Sequence, residues 1–585
     1  MTQTKNKRPE ISPILLAVLK GRLEQIADEM DATLFRSAFN PIIAEAHDAS
    51  HGLYHRETGE TLIQGKSGLP VFVGAMAFAV KSVIDRVQAK NIVIEPGDIF
   101  IFNDPYEGGT HLSDFKLVKP YFIDGELFCY LASVGHWHDV GGNVPGNYNP
   151  VATECYQEGM LIPPVKLASS GVINQDIVDI LQSNSRLPES LYGDLNAQVS
   201  ALELGVKRLS EILDEYGRDV IEGVLDQLKN SAAQLMASYI RDLPDGCYSA
   251  DDWLDNDGIT DQELMISLDI TISGENLTLD FSRTSSACAG PVNISKSTCI
   301  ASCYVALKHI FKDVPANAGV LEPIDFIIPE DSLLNVKRPK PVGGYTETIL
   351  RVIDVIFQAV ANIDPSKSNG CAYGTINALS LAGFRENGSR WVMFSFFGGG
   401  HGGNPERDGL NHGNAPISTA TIPPLEILEA AYPIKFNQWA LRQDSGGAGL
   451  NRGGCGAVYE IELLEERADV FLFGERGKLP PLGINGGASG SLSEFYYPGT
   501  DGKPTCPPMV SKVDGIKLEK GQKLLLKTPG GGGYGNPKER DADKVVEDVR
   551  LGYVSAKSAL QDYFCHLDDK GMLDLEKTNK LREVL

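Results

Sequence analysis

Apolar residues recur at helical spacing from Pro13 to Arg36, at Ile14, Leu15, Val18, Leu19, Leu23, Ile26, Ala27 and Leu34. That period predicts an amphipathic helix. Ser12 followed by Pro13 supplies its start signal, a capping hydroxyl and then a proline in the first turn. Between Ile42 and Tyr54 the helical period is lost, and Gly52 with the turn Glu57-Thr58-Gly59-Glu60 favours a strand entering a hairpin. Phe72 to Val87 reads as a helix with a small-residue face. Asp98 to Phe102 and Leu127 to Val134 are apolar runs of strand length, and each ends in polar loop residues. Residues 154 to 167 read as an ordered loop. A long helical region follows from Asp176 to Asp242. Its stripes, Leu202, Val206, Leu209, Ile212, Leu213 and then Ile221, Val224, Leu225, Leu228, are read as core or subunit contact.

Near Asp245-Gly246 the pattern turns to strand alternation, as in Leu264 to Ile272. Further helices are predicted from Thr298 to Phe311 and from Tyr345 to Ile363, before a strand-and-glycine part and a charged helical tail. The expected architecture is mixed α/β (α+β) and multidomain. Residues 1–245 form an N-terminal α/β domain with the long helical region, 246–535 a β-rich glycine-motif domain, and 536–585 a helical tail.

The 585 residues suffice for roughly three or four domains of about 150 each. A net charge of −24 with no basic stretch argues against a nucleic-acid groove or an anionic membrane surface. The ten cysteines stand singly, with no CxxC pair, which excludes a disulfide framework and a thiolate zinc site. Met1 to Glu10 is polar with no signal-peptide core after it, and no apolar run approaches the ~20 residues of a membrane span. A cytoplasmic location is expected.

Candidate chemistry gathers in two stretches. Asn103-Asp104-Pro105-Tyr106-Glu107-Gly108-Gly109-Thr110-His111-Leu112-Ser113-Asp114 follows one predicted strand, and Gly135-His136-Trp137-His138-Asp139-Val140-Gly141-Gly142 follows the other. Imidazoles and carboxylates thus cluster where two strands stop, a common place for a site. Imidazole with carboxylate is the ligand set of zinc, manganese or iron(II), and His111, Asp114 and His136 are read as ligands. For a fourth, the pair His47-x-x-x-His51 competes with Asp48. On a helix the two imidazoles would share a face, whereas on a strand His47 and Asp48 point to opposite faces. The residue pattern leaves both faces open.

Two nucleotide motifs fail. Gly65-Lys66-Ser67 ends like a phosphate loop, but Gly59 lies one residue too far back. Gly398 to Gly403 matches GxGxxG after a strand, but Asn404-Pro405 and Asp408-Gly409 break any following helix. The glycine clusters at 444–449, 452–454 and 528–535 are read as close backbone packing in preference to a floor for a small anion. His401, in its own glycine loop, reads as a histidine satisfied by backbone, with a substrate or phosphate contact as the alternative.

The motifs together resemble the hydantoinase B / 5-oxoprolinase family, which includes subunits of acetone and acetophenone carboxylases. The resemblance runs nearly end to end. It is carried by Asn103-Asp104-Pro105-Tyr106 with Gly109-Thr110-His111, by Asp139-Val140-Gly141-Gly142, and by Glu158-Gly159 with Pro163-Pro164-Val165-Lys166-Leu167. In the second half it is carried by Asp444-Ser445-Gly446-Gly447-Ala448-Gly449, Arg452-Gly453-Gly454, Glu475-Arg476-Gly477 and Thr528-Pro529-Gly530-Gly531-Gly532. It implies one metal ion, zinc first and manganese next, on Asp48, His111, Asp114 and His136. Asp104 and Asp139 then stand as catalytic candidates of the surrounding shell. His138 departs from the small residue common there and is open to three readings: a fifth ligand, a donor behind the ligands, or a rim residue. Ser113 replaces a usual proline.

The resemblance further implies a separate A-type subunit that binds ATP and magnesium, in an expected (αβ)2 assembly, with bicarbonate as a co-substrate if the reaction is a carboxylation. The leading expectation is the B-type member of an ATP-dependent cyclic-amide hydrolase acting on a hydantoin, 5-oxoproline or another lactam. The alternatives are the equivalent subunit of a ketone carboxylase and a non-catalytic scaffold subunit.

Overall fold

The computed structural model describes residues 11–418 and 420–583; the polar start from Met1 to Glu10 lies outside them. Helix α1 runs Pro13–Ser37, and the Ser12 hydroxyl accepts from the Leu15 amide at its start. Its Leu19, Leu23, Ile26, Met30 and Leu34 are buried at three- and four-residue spacing, the stripe a core-facing helix needs. A short helix α2, Pro41–Ala44, follows. Next come β1, Ala49–His55, and β2, Thr61–Gln64, paired as a hairpin. The strand read from Ile42 onward therefore begins only at Ala49. Asn40 caps α2 instead, and His47 takes a left-handed turn at φ 62° before the strand.

Helix α3, Pro70–Lys90, shows why its face is small: a Cβ on Gly74 would come within 2.7 Å of the Ala301 backbone. Strands β3, Ile99–Phe102, β4, Asp114–Ile123, and β5, Glu126–His136, precede β6, Val165–Ser169, and β7, Val172–Ile173. The loop expected at 154–167 thus holds a 3₁₀ turn, Cys155–Gln157, and the start of β6. The helical region resolves into α4, Gln175–Ser183, α5, Pro188–Tyr216, and α6, Arg218–Arg241.

These seven strands form one sheet in the order β2-β1-β5-β4-β3-β6-β7. Alternation splits its side chains between two cores. Leu53, Phe115, Leu117 and Leu131 join α1, α5 and α6 on one side. Phe100, Phe102, Val118, Ala132 and Val134 face the other side, with α3 and residues from beyond 245. Strands β8, Gly246–Leu254, β9, Leu264–Ser273, β10, Asn276–Asp280, and β11, Ile324–Ile327, make a second sheet with the parallel pair β10–β11. Helices α7, Lys296–Ile310, and α8, Tyr345–Ile363, pack in the same core.

Two further sheets contain strands 378–384, 390–395, 467–473 and 512–519, and strands 434–441, 457–463, 494–498, 504–505 and 523–527. The glycine segments between them lie backbone against backbone. A Cβ on Gly400, Gly453 or Gly531 would overlap a neighbouring carbonyl, and Gly400, Gly447, Gly454 and Gly531 donate to carbonyls of the other segments. No helix opens from the GxGxxG segment; the next begins at Leu425. Among the described residues there are twelve helices and four mostly antiparallel sheets, and the tail carries helices 542–550, 556–562 and 575–583. No described helix is long and apolar enough to cross a membrane.

Candidate metal centre

Strand β4 begins at Asp114 and β5 ends at His136, and the two residues sit directly opposite each other in the antiparallel register. Directly opposed residues share a face. Strand β1 flanks β5, pairing Ala49 with Gly135, and the preceding Asp48 accepts the His136 amide on its carbonyl at 3.1 Å. His111 reaches the same point from the turn before β4, where its carbonyl accepts the Asp114 amide at 3.3 Å. His111 Nδ1 stands 2.6 Å from Asp114 Oδ2, and His136 Nδ1 stands 3.3 Å from Asp114 Oδ1. The Thr110 hydroxyl donates to the same carboxylate.

One ligand atom from each of His111, Asp114 and His136 falls within 4.8 Å of the others, and all three residues are buried. Among the described residues, the Nε2 atoms of both histidines, Asp114 Oδ1 and Asp48 Oδ1 make no hydrogen bond. Buried polar atoms are nearly always satisfied. The convergent orphans of His111, Asp114 and His136 therefore fit a cation held by two imidazoles and a carboxylate, and Asp48 lies beside them, outside the set whose ligand atoms converge.

Burial works against charge throughout the site. It would raise Asp114, but His111 and His136 beside it hold that carboxyl well below the ordinary range. Asp48 is pushed up to about 7 by burial, with Asp114 adding to the rise and His136 opposing it. Burial likewise brings His138 down to about 4 and Lys116, against the pull of Asp114, to about 8.

Aromatic rings wall the cluster. Tyr345, the first residue of α8, lies 4.8 Å from the His111 ring, and Phe394 stacks on His136 at 5.4 Å. Tyr148 stacks on Phe394 at 4.9 Å and stands 5.6 Å from His111. The Asn40 amide holds the His136 carbonyl at 2.7 Å. Sequence reasoning missed all of these. Phe394 in its apolar run, and Tyr148 and Tyr345 beside glycines and asparagines, carry no local mark that sets them apart from core or loop.

A profile of the hydantoinase B/oxoprolinase family matches residues 12–537. The chain belongs to that family. It is 32% identical over 593 residues to the beta chain of the caprolactamase of Pseudomonas jessenii, covering 98% of this chain and 99% of that one. It is 29% identical over 588 residues to a Pseudomonas protein provisionally named as the B-type subunit of a D-/L-hydantoinase, covering 98% of each. Among solved structures, the ATP-dependent caprolactamase of Pseudomonas jessenii superposes with a TM-score of 0.89 at 30% identity, over 98% of this chain and 100% of that one. A nucleotide-free acetone carboxylase superposes with a TM-score of 0.87 at 21% identity, over 98% and 82%; at that identity the likeness is one of fold.

Other residues singled out in this family member sit apart from the cluster or at its edge. Asp104 accepts the Tyr106 amide at 3.0 Å and pairs with Arg338. Asp139 accepts from the amides of Gly141, Gly146 and Arg186 and from the Arg186 guanidinium at 3.0 Å. Both aspartates thus fasten the loops that carry the histidines. His138 is buried beside His136 and Asp139, against the Val392 backbone, and its Nε2 makes no hydrogen bond among the described residues. His51 pairs with Asp31 at 2.7 Å and His47 stacks on Phe35, so neither joins the cluster. His401 is bonded to the Asn414 carbonyl. It lines a surface cavity of about 960 Å³ with Arg407 and Arg452, which no cluster residue lines.

Proposed function

We propose that this chain is the metal-holding B-type subunit of an ATP-dependent hydrolase of cyclic amides, working with an ATP-binding A-type partner. One observation carries the reading: a buried His111–Asp114–His136 cluster, with Asp48 alongside, in which both Nε2 atoms and one oxygen of each carboxylate make no hydrogen bond among the described residues. The names of the relatives, the beta chain of a caprolactamase and the B-type chain of a hydantoinase, support the cyclic-amide substrate and a second subunit. ATP use is supported by the likeness to a caprolactamase that is itself ATP-dependent.

A zinc or manganese ion held by Asp48, His111, Asp114 and His136 would supply Lewis acidity at this strand end. The chain's own residues do the rest. Asp114, between both imidazoles, fixes their orientation. Asp48 closes the set on the β1 side. Tyr148, Tyr345 and Phe394 exclude water and offer flat apolar faces to a ring. Asp104 and Asp139 act as positioning residues through the loops they fasten. An unactivated amide is a poor electrophile, so ATP chemistry on the partner would prepare it for attack.

The test is to co-purify the chain with its partner and assay caprolactam, hydantoin and 5-oxoproline with ATP and 13C-bicarbonate. ATP-dependent ring opening without label in the product is expected. Labelled carbon in the product from a ketone would replace this reading with a carboxylase. Full activity in Asp114→Ala would reduce the chain to a scaffold.

A further inference from the structure

A buried ammonium stands beside the cluster with no hydrogen-bond partner among the described residues. Lys116 follows Asp114 by two positions on β4, so the two side chains project from one face of the sheet. It is 1% exposed, and its Nζ makes no hydrogen bond among the described residues. The charge acting on it is the Asp114 carboxylate. On its other side lies the turn that delivers His111. A Cβ on Gly109 would come within 2.7 Å of the Nζ, so a glycine there leaves room for the ammonium. The Gly109 carbonyl accepts instead from the Thr298 hydroxyl at 3.0 Å.

The other buried lysines behave differently. Lys119, three residues along the same strand, closes on Glu203 at 2.9 Å, and Lys512 closes on Glu475 at 2.5 Å. An ammonium out of water with none of its three donors used is strongly unfavourable. Donors held ready in a water-excluded site are the usual arrangement for stabilising charge that arrives with a ligand.

We infer that Lys116 receives an oxyanion of the substrate, a phosphoryl or carboxylate oxygen lodged beside the metal centre. The inference rests on the metal-centre reading above. An amide activated by ATP carries a phosphoryl group, and a ring-opened product carries a carboxylate; three N–H donors with no acceptor complement either.

The test uses the full-length chain reloaded with zinc, in wild type, Lys116→Met and Lys116→Arg. Metal content is measured by mass spectrometry, and inorganic phosphate and acetate are titrated calorimetrically. Metal content is expected to be equal in all three. Lys116→Met is expected to lose at least tenfold in anion affinity, while Lys116→Arg keeps most of it. The ligand-free Met variant is expected to melt a few degrees higher, because the buried charge is gone. Phosphate binding tighter than acetate assigns the phosphoryl source, and the reverse assigns the carboxylate.

A Met variant that binds both anions as wild type does, or that melts lower and sheds its metal, makes Lys116 structural and overturns the inference. So does a metal-loaded wild type that binds neither anion. A wild type that takes no metal counts against the metal-centre reading instead, and its Lys116-dependent anion binding still decides this one.

Discussion

The strand-end cluster and the ion network around Arg476 are both buried, and they handle charge in opposite ways. Arg476 bonds Asp252 at 2.9 Å and Asp354 at 2.6 Å, while Glu475 takes Lys512 at 2.5 Å and Arg351 at 3.5 Å. Three cations meet three carboxylates, and the set ties β8, α8 and the strand at 512–519 together; Arg476 Nε and Arg351 Nη2 make no hydrogen bond among the described residues, yet every charge in the set faces an opposite one. At the cluster, by contrast, the two histidines, Asp48 and Asp114 keep orphaned atoms, and Lys116 keeps an unused ammonium. Both regions carry motifs by which the chain resembles its family. A charge set that closes on itself holds a fold, and one left open awaits a ligand.

The largest effect should come from breaking the closed set. Arg476→Met leaves Asp252 and Asp354 buried without their cation, a loss of about 3–5 kcal/mol. Urea unfolding should register it, while any soluble variant should retain its metal. A variant as stable as wild type would show that the network does not hold the fold.

Opening the other region should matter less. A ligand at 100 times its dissociation constant stabilises by about 2.7 kcal/mol, so chelation should lower the thermal midpoint of wild type. The same treatment should leave His136→Ala unmoved. An equal shift in both would separate the metal from this cluster.

The most gradual effect, on the order of 1 kcal/mol per pH unit, concerns the support of the cluster. Asp194 Oδ1 accepts the amides of Phe39 and Asn40, at 2.8 and 3.2 Å, and Oδ2 makes no hydrogen bond among the described residues; Asn40 in turn holds His136. Burial pushes Asp194 up to about 7, against those two amides. The folded chain then binds this proton more tightly than the unfolded one. The group's contribution is complete below about pH 4 and is lost as pH rises towards 7, on the order of 1 kcal/mol per unit. Asp194→Asn keeps the Oδ1 acceptor without the charge. Stability measured from pH 4 to 8 should fall less steeply in the variant; parallel profiles would remove Asp194 as the cause.

The sequence made the strand ends legible because β3 and the stretch Leu127–Val134 of β5 are mainly apolar and are stopped by His-, Asp- and Gly-rich loops. The convergence of His111, Asp114 and His136 follows from that reading. Asp48 did not emerge from the residues alone. Its place depends on where β1 begins, and the cap at Asn40 and the left-handed turn at His47 moved that start to Ala49. Tyr345 and Phe394 lie more than 200 residues from His111 in the chain. No local period reports which apolar residue returns to a distant site. Lys116 was equally silent, since a lone lysine in a strand looks solvent-facing until its neighbours are known. The glycine segments were readable as packing, but their partners, such as Gly531 against Gly454, were not.

Metal stoichiometry in the purified full-length chain tests the open cluster most directly, measured by mass spectrometry beside Asp114→Ala and Arg476→Met. About one zinc or manganese per wild-type chain is predicted, with none in Asp114→Ala and an undiminished content in whatever Arg476→Met remains folded. A folded wild-type chain that takes up no metal when zinc and manganese are added back would contradict the metal centre.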